Sequence, residues 1–159
     1  MSNKFEILMH QLDMPLEMRN SEAFLNAEIE KVLVHKVSRV WEFHFSFANI
    51  LPIEIFRELQ KRLAQEFSKT GNQAIFEIHC QAPQVSDELL QAYYQLAFEE
   101  GPCASHGFKS LYQDLRVHLD GDKLLIEGAS TIDTEHFRKN HLPNLSRQLV
   151  KYGFPQLAC

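Results

Sequence analysis

The segment VLVHKVSRVWEFHFSF, residues 32–47, brings together residue types that can bind phosphates, metals or stacked bases. His35, Lys36 and Arg39 lie close together in it, so their side chains could contact a phosphate or an acidic partner. Glu42 and the acidic residues just before the segment would offset this positive charge. We favour a solvated hairpin end with ordinary charge pairing, and we keep a protein-binding surface and a nucleic-acid contact as alternatives.

A second basic group lies in the segment IEIFRELQKRLAQEF, residues 53–67, which has the apolar spacing of an amphipathic helix. Its basic side chains would lie on the exposed face of that helix. The two groups together give the candidate contacts to a protein partner or to phosphate: His35, Lys36, Arg39, Arg57, Lys61 and Arg62. Phosphate contacts carry no sequence information, so DNA binding through them would be weak and independent of sequence.

Metal binding is not predicted, because too few ligands converge along the sequence. Cys103 and His106 supply two ligands at most. His79 and Cys80 are neighbours on a predicted strand, where successive side chains point to opposite faces. The three cysteines form no C-x-x-C pair, which predicts reduced thiols and argues against both a zinc knuckle and a disulfide framework.

No catalytic constellation is predicted either. Ser, His, Asp and Cys all occur, but none lies in a G-x-S-x-G context, and the sequence has neither a P-loop nor a dinucleotide-binding fingerprint. We therefore expect this chain to contain no catalytic residue and to bind no cofactor.

Composition is that of an ordinary globular protein: 159 residues, 45% hydrophobic and 23% charged. The net charge of −5 is spread evenly, with 9 basic against 11 acidic residues in 1–82 and 7 against 10 in 83–159. Neither half has the basic excess that would make phosphate binding the first expectation. Because no signal peptide and no membrane-spanning run is recognisable, we expect a cytoplasmic protein with no membrane partner.

The first half of the chain changes from a helical to a twofold period. Apolar residues mark a helix over 3–12, and a second short helix is predicted over 20–26. The run IEKVLVHK is rich in Val and WEFHFSF alternates, so the two are predicted to be strands of a hairpin. Pro52 begins an amphipathic helix, and AIFEIHC follows it as a third strand.

Aromatic rings alternate along the second strand of this hairpin. Trp41, Phe43, Phe45 and Phe47 occupy every second position and therefore share one face of the strand. Four large rings on one face can bury enough apolar area to hold a small domain together, so we interpret them as core and not as a base-stacking platform. His44 is then a half-exposed residue of the opposite face.

The second half repeats the same order of elements. Ser86 is placed to cap a helix that runs to Gly101. A short helix over about 104–112 then precedes a hairpin around residues 120–122. A further helix, restarted at Pro143, uses Phe137, Leu145, Leu149 and Tyr152 as candidate core residues, and FPQLAC is predicted to form a final edge strand.

The sequence thus predicts an α+β fold with two small units, 1–82 and 83–159, each with a ββαβ arrangement preceded by helices. This order is similar to K-homology domains, which clamp nucleic acid with a GXXG loop. No two of the six glycines are three positions apart, so the clamp is missing. Each unit is interpreted as a truncated K-homology-like fold without the nucleic-acid clamp.

The stretches FEILMHQL, IEKVLVHKVSRVWEFHFSFANILPIEIF and KYGFP resemble the N-terminal region of the PolC-type DNA polymerase III alpha subunits of low-GC Gram-positive bacteria. The resemblance covers essentially the whole chain but only the start of those much longer polymerases. It implies two small domains, the first similar to the C-terminal domain of the clamp-loader tau subunit and the second a truncated K-homology fold. The full-length proteins of that family are DNA-directed DNA polymerases with a 3'-5' exonuclease.

The polymerase and exonuclease residues of that family have no counterpart in this sequence, so the resemblance carries no catalytic residue over to it. What it implies is a non-catalytic interaction module within the replisome, with the tau subunit as one possible partner. The alternative is a weak, sequence-independent DNA-binding module that supports the polymerase on its template.

Overall fold

The computed structural model describes residues 4–100, 112–113, 115–121, 123–127, 139 and 141–156. The chain divides into two compact units, Met1–Pro83 and Gln84–Cys159. The first unit contains, in chain order, α1 Lys4–Gln11, α2 Leu16–Arg19, a 3-10 turn Glu22–Phe24, β1 Glu28–His35, β2 Val40–Phe47, α3 Ile53–Ser68 and β3 Gln73–Cys80. The second contains α4 Asp87–Ala97, β4 Arg116–Asp120, β5 Lys123–Glu127 and α5 Leu142–Lys151. The predicted α+β fold is confirmed.

Unit 1 is built on a three-stranded sheet in the order β1-β2-β3. β1 and β2 form the predicted antiparallel hairpin, in which Val32 pairs with Phe43 and Val34 with Trp41. β3 pairs with β2 in parallel, because α3 carries the chain back along the sheet between them. The ββαβ order predicted for this unit is therefore confirmed.

The core of unit 1 lies on one face of this sheet, as the aromatic alternation predicts. Phe45 and Phe47 are fully buried and Phe43 is 4% exposed. Phe5 of α1 packs edge-on against Phe45 and Phe47, with ring centroids 5.5 and 5.4 Å apart. Trp41, at the hairpin end of the strand, is half-buried against Phe67 of α3, at 5.2 Å. The interpretation of these rings as core is confirmed.

The connection between α1 and β1 differs from the prediction. In place of one helix over 20–26, the structure has a 3-10 turn, and the single-turn helix α2 precedes that range. The side-chain oxygen of Ser21 accepts from the Ala23 backbone N–H at 3.2 Å, which starts a new turn where the predicted helix would continue. Asn26 has φ +61°, a left-handed conformation that ends the turn before β1.

Unit 2 confirms several of the local predictions. Ser86 caps α4 by accepting from the Leu89 backbone N–H at 3.1 Å. β4 and β5 form the predicted hairpin, with Gly121 at φ +65° in its turn. Pro143 lies in the first turn of α5, and the predicted core residues Leu145, Leu149 and Tyr152 are buried.

The third strand predicted for unit 2 is absent from the described part of its sheet, which has two strands. Phe154, Pro155 and Gln156 belong to no strand. The Phe154 ring instead packs edge-on against Tyr93 of α4, at 5.4 Å, and Pro155 has no N–H to donate to a ladder. The rest of that prediction lies outside the described residues, like Phe137 and all but the last residue of the helix predicted over about 104–112.

Candidate docking surface

The edge strand β1 is the most exposed regular element of unit 1. Only its second residue, Ile29, is even partly buried; the other seven are exposed. The consecutive residues Val32, Leu33 and Val34 are 37%, 40% and 44% exposed, and Val37 in the following turn is fully exposed. Among the described residues β1 pairs with β2 alone, so its other edge also presents backbone N–H and C=O groups that no described strand pairs.

The positions of the two large helices explain why β1 is left open. Phe5 of α1 covers Phe45 and Phe47, and Phe67 of α3 covers Trp41 and Phe43. These ring contacts all fall on β2; in addition, α1 packs against β1 and α3 packs against β3. Val32 and Val34 point to the same face as the rings of β2 but remain at its open margin. β3 is also an edge strand, yet its one large exposed apolar side chain is Ile75, at 42%.

The opposite face of the sheet carries histidines and glutamates. Glu42 is central: its Oε2 lies 2.5 Å from Nε2 of His44, and its Oε1 lies 3.6 Å from Nε2 of His35. His44 Nδ1 is 3.7 Å from Glu77 of β3. The hydrogen bond from His44 is the main reason that the pKa of Glu42 is below its usual value. His44 is half-buried, as predicted from its place on the strand.

The predicted contacts His35, Lys36 and Arg39 all lie at the hairpin end of the sheet, and all three are exposed. His35 is drawn into the Glu42 network. Arg39 has φ +59°, and its backbone carbonyl accepts from the Gln73 N–H at 2.9 Å, which fixes the turn against the start of β3. The structure therefore brings this first group together around a well-anchored turn.

The three residues of the helical group, Arg57, Lys61 and Arg62, do not share the same surroundings. Arg57 and Lys61 are exposed one turn apart on α3. Arg62 instead binds within the unit: its Nε donates to Glu58 at 2.8 Å and its Nη1 to the Asp13 carbonyl at 2.5 Å. This guanidinium therefore ties α3 to the chain that leaves α1.

Arg57 of the helical group lies away from the hairpin end of the sheet. α3 begins after the end of β2 that is remote from the hairpin turn, and its last turn lies next to the start of β3, beside that turn. The helix rises by about 1.5 Å per residue, so Arg57 is about 16 Å along the axis from Ser68 at the hairpin end. A ligand held by Arg57 would thus be remote from Arg39.

A cavity that the sequence did not indicate lies between α1 and residues 16–25, which contain α2 and are called the α2 segment. It has a volume of about 200 Å³. The lining residues are Phe5, Glu6, Met9, His10, Arg19, Asn20 and Phe24. The members from α1 recur at i, i+1, i+4 and i+5, so they form one side of that helix, but nothing in the sequence shows that Arg19 lies opposite them.

Metal ligands do not converge in the part of the chain that the structure describes, where no group of three His, Cys, Asp or Glu side chains could hold an ion. His79 is exposed with Nδ1 3.6 Å from Glu30, whereas Cys80 is buried on the other face, and burial raises the pKa of its thiol to about 11. Among the described residues, no helix is both long and apolar enough to cross a bilayer.

Comparison with known proteins identifies two family models along the chain. Residues 4–78 match the model described as DNA polymerase III polC-type N-terminus I, and residues 92–159 match N-terminus II. No solved structure gives a significant match.

Several similar relatives are described as DNA polymerase III PolC-type. The chain is 98% identical over 159 residues to the protein of Streptococcus sanguinis, 64% identical to that of Streptococcus pneumoniae, and 50% identical over 157 residues to that of Streptococcus pyogenes. These alignments cover 99–100% of this chain but 11% of each relative's length. The chain therefore belongs to the PolC-type DNA polymerase III family, of which it represents N-terminal domains I and II.

Proposed function

We propose that this chain is a non-catalytic protein–protein interaction module of a replicative DNA polymerase. In this proposal it links a cytoplasmic polymerase to other proteins of the replisome during DNA replication, and it needs no cofactor of its own. The clamp-loader tau subunit is the first candidate partner, on the resemblance described above.

The observation that carries the proposal is the exposure of β1. An edge strand with three consecutive exposed apolar residues is a liability for a free protein, because it is a template for pairing with another chain. The same features serve a partner: an extended segment can add to the edge through backbone hydrogen bonds, and its alternate side chains can contact Val32 and Val34 on one face and Leu33 on the other.

Charge favours a protein partner over DNA. Residues 1–82 contain two more acidic than basic residues. The outer face of the sheet places Glu42 and Glu77 among its histidines, and Arg62 is engaged within the unit. What remains for phosphate is a few separated cations, which is a small number for useful affinity at physiological salt.

The test is capture of purified replisome proteins, including the tau subunit, on the immobilised 159-residue chain. Val34→Lys places a charge at the open margin of β1 without touching the buried rings, so we expect it to abolish capture while the melting temperature stays unchanged. The matched control is Leu125→Lys, which changes a similarly exposed apolar residue, 47% exposed, on a hairpin strand of unit 2.

Two results would contradict the proposal. The first is that no replisome protein is retained by the unaltered chain. The second combines two observations. The chain binds DNA in fluorescence anisotropy at low salt and both Arg39→Glu and Lys61→Glu weaken that binding, while Val34→Lys leaves the capture of replisome proteins intact. This outcome would favour the DNA-binding alternative.

A further inference from the structure

The cavity between α1 and the α2 segment has two chemically distinct sides. Phe5, Met9 and Phe24 supply apolar surface, and the rings of Phe5 and Phe24 meet edge-on with centroids 5.1 Å apart. His10, Arg19 and Asn20 supply polar groups. A volume of about 200 Å³ is below the range of drug-sized ligand sites, and it suits one or two amino-acid side chains.

Arg19 is the unusual member of this cavity. Its Nε atom is buried and has no hydrogen-bond partner among the residues that the structure describes. The guanidinium makes one long contact, from Nη1 to Nδ1 of His10, at 3.4 Å. Buried charged donors normally have an acceptor, because a donor buried without one loses its hydrogen bond to water and gains none in its place. Arg19 as a whole is half-buried and its Nη1 contact is exposed, so it is the Nε–H alone that is shielded from water and left without an acceptor.

The geometry of a guanidinium defines which acceptor fits. The Nε–H and the neighbouring Nη–H are parallel donors that match the two oxygens of a carboxylate. Both donors belong to a long side chain that lines the cavity. Glu6 adds one negative charge to the wall, which disfavours a doubly charged phosphate more than a singly charged carboxylate.

The segment that provides Arg19 and Phe24 is itself suited to contact a protein. Leu16 and Leu25, at its two ends, are 63% and 64% exposed. Large exposed apolar side chains around a partly apolar cavity are typical of protein-binding sites, in which an anchor residue enters a pocket and neighbouring residues exclude water.

We propose that this cavity recognises an acidic peptide segment of a partner protein, with an apolar side chain against Phe5, Met9 and Phe24 and an adjacent carboxylate on Arg19. The proposal rests on the interaction function described above and names the chemistry of the partner. It does not depend on which surface of β1 the same partner uses.

The test uses two small probes on the intact 159-residue chain: N-acetyl-Leu-Asp-amide and its neutral isostere N-acetyl-Leu-Asn-amide. NMR titration follows the Nε–H of Arg19 and the backbone amides of Met9 and Phe24. We expect saturable shifts at these groups, with the acidic probe binding about tenfold more tightly than the neutral one. Glu6→Gln should tighten binding of the acidic probe.

Two variants separate charge from geometry. Arg19→Gln should abolish the difference in affinity between the two probes. Arg19→Lys keeps the charge but loses the paired donors, so it should retain part of that difference. The comparison of the two probes on the unaltered chain needs no variant, so it stands even if a substitution perturbs folding. Leu125→Ala in unit 2 serves as the control and should change nothing.

Several outcomes would overturn the proposal: equal affinity for both probes, no shift at Arg19 even at high millimolar concentration, or a response to a single-stranded oligonucleotide at lower concentration than to the acidic dipeptide. Replisome capture that is unaffected by Arg19→Gln would also overturn it while leaving the interaction function intact. Selective binding of the acidic probe with no capture of any replisome protein would support the cavity and contradict the interaction function alone.

Discussion

β1 and β2 are adjacent strands of eight residues each, paired along nearly their whole length, and yet they have opposite surroundings. Four residues of β2 are buried, whereas none of β1 is. β2 carries large apolar residues at alternating positions and β1 carries three in a row, yet Val32 lies directly opposite the buried Phe43. Paired apolar residues of the two strands therefore share one face of the sheet, and the difference comes from what lies above each strand.

The helices decide that difference. α1 and α3 place their aromatic residues over β2, so the apolar residues of β2 form the core while those of β1 form an open apolar margin beside it. The buried side chains of β2 stabilise the fold, and the exposed side chains of β1 are available to contact a partner. The comparison therefore predicts that substitutions on the two strands will have separable effects.

The largest expected effect is on the buried strand. Phe45→Ala should lower the free energy of unfolding by about 3–5 kcal/mol, because it leaves a cavity among Phe5, Phe43 and Phe47. Val34→Ala on β1, where the side chain is 44% exposed, should change it by about 0.5 kcal/mol or less. Urea unfolding of both variants measures the contrast; similar losses in the two would contradict the assignment of β1 as open.

A smaller effect is expected where α1 is held over β2. Arg62→Ala removes the donors to Glu58 and to the Asp13 carbonyl, which should lower the free energy of unfolding by about 1–2 kcal/mol. The matched control Lys61→Ala, at an exposed neighbouring position, should be nearly neutral. If both variants behave alike in thermal unfolding, Arg62 does not secure α1.

The outer face of the sheet should give the smallest effect, and it should depend on pH. Because the folded-state pKa of Glu42 is depressed, mainly by the hydrogen bond from His44, ionised Glu42 stabilises the fold above its unfolded-state pKa, near 4.5. That stabilisation is lost as the pH falls through the lower folded-state pKa. Glu42→Gln should therefore be less stable than the unaltered chain at pH 6, and the gap should narrow in acid. A gap that is constant from pH 6 to pH 3 would contradict this origin.

The sequence predicted what depends on local pattern. Alternation identified the buried face of β2, Ser86 identified the start of α4, and Pro143 the restart at α5, because each of these signals acts on its own neighbourhood. The exposure of Val32 and Val34 could not be predicted in the same way, since their pattern is that of a half-buried strand and only the position of the helices leaves them open.

The candidate contacts show the same limit. The sequence predicted that Arg62 lies with Arg57 and Lys61 on an exposed basic face. It could not show that Arg62 donates to the Asp13 carbonyl, in the chain that leaves α1. Arg19 escaped notice for the converse reason. Its neighbours in the cavity belong to α1, in an earlier part of the chain, and no local signal in the sequence links those residues to Arg19.

Amide hydrogen exchange, compared between the free chain and its complex with the replisome protein retained in the capture experiment, tests the central claim most directly. In the free chain we expect the amides of β2 to exchange slowly and those on the open edge of β1 to exchange fast. In the complex, the amides among residues 32–34 that point to the open edge should become protected, while those of β5 do not change. Slow exchange of the open-edge amides of β1 in the free chain, or a complex that leaves the open-edge amides among residues 32–34 unprotected, would contradict the account.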